Sequence, residues 1–308
     1  MQGHLTERGL AILQEISEVW PSAAPARIRP VYDDLRTALH TPDVPFAFRF
    51  LAHWPPYLAY AVRQFSPFVR SLAFEDAADT LRAEAASALA QTPQSPAFEP
   101  IRALVLREHY LAPKVLLILT AFAVGLRGRT SEAAPPLGTT LPTPEPIPVR
   151  PAELPRALDE RIVPLPEIGL ISDKAQALLD ELAALRGIPS LDDFSRALAV
   201  QDLRALSALN ALRRTLPADL LATVRRQLLE LADRAIRRLT LPGSKVLPDF
   251  MVPNSALPDI EAAVTALQAI ALEVLIDATL GRVAMDGASA AQRSPYPITV
   301  GAQQETGA

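Results

Sequence analysis

Apolar residues recur at helical spacing along most of the chain. Ile28, Val31, Leu35, Ala38 and Leu39 form one stripe, Leu58, Ala61, Val62, Phe65 and Val69 a second, and Leu178, Leu179, Leu182 and Leu185 a third. A stripe with that period is one buried face of an amphipathic helix. Alternating β-branched runs are absent, and Ala, Leu, Arg and Glu, all good helix formers, dominate. The pattern predicts an all-α protein. Two segments are apolar almost all round, 115–126 and 260–280. The first is shorter than the roughly 20 residues that span a bilayer, and the second carries Glu261, Gln268, Glu273 and Asp277. Both are expected as core helices. Prolines such as Pro21, Pro30, Pro42, Pro55, Pro113, Pro217 and Pro258 are read as markers of helix starts and ends, where a missing N–H is tolerated.

The pattern also repeats. At an offset of 147 positions, Asp33-Asp34-Leu35 returns as Asp180-Glu181-Leu182, Pro42 as Pro189, Arg49 as Arg196 and Leu51-Ala52 as Leu198-Ala199, without a gap. The expected architecture is two related helical repeats packed as an intramolecular pseudo-dimer, with any site at the seam. The repeats are assigned to 1–134 and 167–293. Between them, 135–166 holds ten prolines, a composition suited to an extended linker, and 294–308 reads as a tail.

Composition narrows the chemistry. With 308 residues, 49% of them hydrophobic, the chain can bury a sizeable core. No cysteine is present, so disulfides, thiolate metal sites and thiol nucleophiles are excluded. Histidines 4, 40, 53 and 109 form no zinc-binding spacing, and no metal is expected. Glycine-rich phosphate loops and a GxSxG elbow are missing, so no cofactor is expected either. A net charge of −4 and sparse aromatics give no nucleic-acid surface. No secretory signal pattern opens the chain, and the cytoplasm is the default compartment, with no membrane partner. Monomer and homodimer both remain open.

Carboxylates are the remaining candidates. Ser190-Leu191-Asp192-Asp193-Phe194 opens a helix, and its repeat counterpart is Asp43-Val44-Pro45-Phe46-Ala47. On spacing alone, Ser190 and Asp193 read as a capping box and Asp43 as an N-cap. A second alternative sets Asp43 opposite Asp193 across the seam, where two carboxylates would push their pKa values apart.

Several segments resemble the group I 2-haloacid dehalogenases, the DehI family: Val31-Tyr32-Asp33-Asp34-Leu35-Arg36, His53-Trp54-Pro55-Pro56-Tyr57, Pro113-Lys114-Val115-Leu116, Leu241-Pro242-Gly243-Ser244 and the closing stretch from Met285 to Ile298. The resemblance implies an AhpD-like all-α pseudo-dimer and the hydrolysis of 2-halocarboxylic acids by water that attacks Cα directly, with no covalent intermediate. The family's general-base aspartate matches Asp193, which suits that role if burial lifts its pKa, though it need only be close to the water and correctly aimed. The N-terminus of that helix, at Asp192 and Asp193, would receive the substrate carboxylate, and Phe46 matches a pocket phenylalanine. Three positions depart from the family: its water-holding Asn is Ala112, an aromatic is Asp43, and a pocket tyrosine is Leu267. His109 or Tyr110, about a helical turn before Ala112, could compensate. The competing expectations are a hydrolase or proton-transfer enzyme for a substrate that is not halogenated, using Asp193 with or without Asp43, and a binding protein that keeps the fold without catalysis.

Overall fold

In a computed structural model, residues 2–127, 172–239 and 255–297 are described. The proline-rich linker, the Leu241–Ser244 segment and most of the tail lie outside them. The described residues are helical, with no strand among them. In chain order the helices are α1 (Gln2–Glu15), α2 (Arg29–Leu39), α3 (Phe46–Leu51), α4 (Pro55–Val69), α5 (Leu72–Ala88), α6 (Arg102–Leu126), α7 (Asp173–Arg186), α8 (Asp193–Gln201), α9 (Leu203–Thr215), α10 (Ala218–Arg238), α11 (Leu257–Asp286) and α12 (Ala288–Ala291).

The core is organised on α6 and α11, the two helices with apolar residues on every side, which pack on each other over much of their length. Both are long and apolar enough to cross a membrane, and both are buried in protein, 89% and 94% over their most apolar windows. A helix without a polar face needs such surroundings. Where polar residues do occur on these helices they meet each other, as in the bond from Gln268 Nε2 to Thr120 Oγ1 at 2.8 Å. Helix α1 lies against α11 with almost no gap. A Cβ at Gly9 would stand 2.0 Å from the Ala262 carbonyl oxygen, so only glycine permits this approach.

Pro113 does not start a helix. It sits inside α6, which begins at Arg102, eleven positions before Pro113. A proline there leaves the carbonyl four residues back without its donor. The buried Arg82 of α5 supplies the replacement, with Nε donating to the His109 carbonyl at 3.1 Å and Nη2 to that of Tyr110 at 3.3 Å. The donor that Pro113 lacks is therefore supplied from a neighbouring helix, and α6 runs on as one helix. The other prolines named above fare better: Pro30, Pro55 and Pro258 lie at the first or second position of α2, α4 and α11, and Pro217 caps α10.

Candidate active site

The two short helices α3 and α8 bring their N-termini together. Position 193 opens α8 and position 46 opens α3, 147 residues apart, and the Phe46 N–H donates to Asp193 Oδ2 at 3.1 Å. Asp193 thereby supplies negative charge to the α3 N-terminus, which has no capping side chain of its own. Helix α8 is capped by Asp192, whose Oδ1 accepts the Ser195 N–H at 2.8 Å. Ser190 is not the cap; its hydroxyl donates to the Leu179 carbonyl at 3.3 Å.

Two arginines, also 147 positions apart, clamp the same carboxylate. Arg49 Nη2 reaches Asp193 Oδ1 at 2.5 Å and Nη1 reaches Oδ2 at 3.2 Å, while Arg196 Nη2 reaches Oδ1 at 2.9 Å. Both also bond Glu18, Arg49 Nη2 at 2.9 Å and Arg196 Nη1 at 3.0 Å, and Trp20 lies flat under the Arg49 guanidinium at 4.1 Å. All four members of this cluster are buried. Burial pushes the Asp193 pKa up, but Arg49 and Arg196 outweigh it and hold the carboxyl below the usual range. Burial does not lift this pKa on balance, because of those two partners, which pattern alone could not place.

Beside Asp193 lies a cavity of about 20 Å³, room for about one water. Pro45, Phe46 and Asp193 line one side. From α6 come Arg107, Glu108, Leu111, Ala112 and Val115, and from α11 Ala271 and Val274. The α6 spacing of 108, 111, 112 and 115 is one helical face, so Glu108 stands one turn before Ala112 on the cavity side. Burial pushes the Glu108 pKa up to about 7; Arg107 opposes this, and Asp193, Asp192 and Asp43 reinforce it. Two carboxylates facing one small cavity are thus displaced in opposite directions.

The structure brings Phe46, Ala112 and Asp193 together. Asp43 does not line the cavity and is not an N-cap; Pro45 holds that position, and Asp43 Oδ2 pairs with Arg107 Nη2 at 2.8 Å. Asp192 is turned away from it, to Arg186 Nη1 at 2.6 Å, because its side chain is taken by the helix cap and this pair. Leu267 is fully buried one turn before Ala271, in the core rather than on the lining. His109 and Tyr110 also face elsewhere. His109 Nε2 meets the Ala291 carbonyl at 2.8 Å and burial drives its pKa down to about 3, and the Tyr110 hydroxyl takes a bond from Lys114 at 2.7 Å. Sequence reasoning passed over Glu108 and Arg107. The available signal was the four-residue step back from Ala112.

An all-α fold built on two central helices, with a carboxylate-lined cavity where two short helices meet, is the class defined here. No protein-family model matches the chain. It resembles a configuration-inverting 2-haloacid dehalogenase of Alcaligenes xylosoxydans xylosoxydans, 27% identical over 290 residues that cover 87% of this chain and 93% of the relative. Among solved structures, a D-2-haloacid dehalogenase in complex with L-LA shares the fold with a TM-score of 0.69 at 19% identity, over 87% of this chain and 96% of that one. A mutant D-2-haloacid dehalogenase in complex with D-2-CPA gives 0.67 at 18% identity, over 87% and 95%.

Proposed function

We propose that this protein hydrolyses 2-halocarboxylic acids, with the seam cavity as its active site. In the reaction, a water oxygen forms a bond to Cα as the carbon–halogen bond breaks. The halide leaves with the bonding pair, and a carboxylate takes the water's proton. The observation that carries this reading is the convergence of Asp193, Phe46 and Ala112 on one water-sized cavity, in a chain that resembles an inverting dehalogenase over most of its length. Asp193 is the residue on which turnover depends: it is ionised at neutral pH, rigidly aimed, and in contact with the cavity. No cofactor takes part in this scheme.

A second assignment of the proton acceptor is favoured by one feature. Four donors already occupy the two oxygens of Asp193, about the number a carboxylate can accept. Glu108 shares the cavity, makes no hydrogen bond to protein among the described residues, and comes within only 3.6 Å of Arg107. Groups whose surroundings drive their pKa values apart divide acid–base roles between them. In this version Asp193 orients the water and Glu108 accepts its proton, taking over the polar contact that Ala112 lacks.

The test is halide release from racemic 2-chloropropionate and 2-bromopropionate. Release by the unaltered protein that vanishes in Asp193→Asn supports the hydrolase. Absence of release with both acids transfers the site to a binding role. Loss of the rising pH limb in Glu108→Gln, with Asp193 intact, assigns the proton to Glu108.

A further inference from the structure

We propose that Arg107 is the carboxylate anchor of this cavity, a binding role that the helix N-terminus at Asp192 and Asp193 was expected to fill. The inference rests on the haloacid reading for its ligand class, but its geometry stands apart from it. Arg107 is 3% exposed and lines the cavity. Only its Nη2 is engaged, by Asp43 at 2.8 Å. Nε and Nη1 are buried and have no hydrogen-bond partner among the described residues, and Glu108 Oε1 stops at 3.6 Å from Nη1.

Buried guanidinium donors are normally satisfied, since leaving them unpaired costs the desolvation without the bond. The neighbouring arginines obey this rule: Arg49 places all three nitrogens on Glu18, Asp193 or the Val44 carbonyl. Arg213 also leaves one donor, Nη1, unpaired, but it lines no part of the cavity. Arg107 alone combines free, buried donors with a cavity wall. A planar guanidinium matches a carboxylate in charge and shape. An acid held there places its α-carbon in the space that Asp193 and Glu108 also face.

The α8 N-terminus offers less. Asp192 already caps it, and the part of α8 on the cavity wall is Asp193, whose negative charge repels an anion. Since the cavity has room for about one water, a three-carbon acid enters only if lining side chains such as Phe46, Leu111 or Glu108 swing aside. That movement leaves Arg107 in place, because Asp43 holds it.

Propionate, which has the substrate's carboxylate and no leaving group, is the probe. Its binding to the full chain is measured by calorimetry at low salt, with uncharged propionamide as control. The unaltered protein binds propionate and not propionamide. Arg107→Lys, which keeps the charge and the Asp43 pair, weakens binding about tenfold, and Arg107→Met combined with Asp43→Asn, which leaves no buried charge behind, abolishes it. In halide release, Arg107→Lys raises KM by at least the same factor with a much smaller change in kcat. Propionate binding that is absent from the unaltered protein, or equally tight in folded variants, overturns the anchor. Propionate binding that depends on Arg107 without any halide release keeps the anchor and removes the haloacid reading instead.

Discussion

Two groups of buried charges in this molecule differ in how completely they are paired. In the first, Arg186, Arg213 and Arg225 face Asp192, Asp277 and Glu273: Arg186 Nη2 meets Asp277 Oδ2 at 2.6 Å, Arg213 Nη2 meets Glu273 Oε2 at 2.8 Å, and Arg225 Nε meets Glu273 Oε1 at 2.6 Å. Arg213 Nε closes the network on Asp277. Three cations balance three anions away from the cavity. In the second, Arg107 has Asp43 and Glu108 beside it, uses one nitrogen, and leaves Glu108 without a hydrogen bond. The balanced group holds helices α7, α8, α9, α10 and α11 together. The unbalanced one retains the capacity to bind an anion and to exchange a proton. Unpaired donors on a cavity wall, rather than buried charge as such, mark where this molecule can do chemistry; the Nη1 of Arg213 is unpaired too but lines no part of the cavity.

The comparison can be broken most forcefully at its balanced end. Asp277→Asn takes one of two acidic partners from each of two buried guanidiniums, and a loss of about 3–5 kcal/mol in denaturant unfolding is expected. A loss below about 1 kcal/mol would mean that the network contributes little. Next comes Asp193→Asn, expected to lower kcat for halide release by roughly 10²–10⁴-fold, the range of a positioned acid–base group. In water enriched with heavy oxygen, single turnover by the unaltered protein should label the hydroxy acid directly and invert Cα. Unlabelled product in the first turnover would point to an ester on the protein.

Glu108→Gln should act on stability with the opposite sign. Between about pH 4.5, the ordinary value, and about 7, the folded chain keeps a proton on Glu108 that the unfolded chain has released. Stability from this group is therefore full below pH 4.5 and declines as pH rises toward 7. Above pH 7 the substitution should stabilise the protein, by roughly 2–4 kcal/mol from the size of the shift, as read from melts at pH 5 and pH 8. If Glu108 is the proton acceptor, kcat also rises through neutrality. A bound carboxylate beside Glu108 displaces the kcat limb to higher pH than the kcat/KM limb. The smallest effect is expected from Ala112→Asn, which restores a polar contact one turn from Glu108 at the cost of about 1–3 kcal/mol of crowding. Its kcat should change by less than about tenfold.

The helical architecture could be read from the chain because helix period, apolar helices and most capping prolines are local properties. Pro113 was misread for the same reason: what permits it inside α6 is Arg82, 31 positions away on another helix. Phe46, Ala112 and Asp193 could be named because each occupies a recognisable position in a motif. Their electrostatics could not, since the Asp193 pKa is decided by Arg49, 144 residues distant, and by how both arginines turn. Glu108 and Arg107 carry no motif at all. The four-residue step back from Ala112 singles out Glu108 once α6 is known to start at Arg102 and to present that face to the cavity.

Arg49 and Arg196, 147 positions apart, converge on one aspartate, while the position 147 before that aspartate is a phenylalanine. Two identical chains meeting in the same way would have set two copies of the acid against each other. Within one polypeptide the position 147 before the aspartate is free to be apolar. The consequence is one of stoichiometry: a ligand titration of this protein should saturate at a single equivalent per chain, along a simple hyperbola.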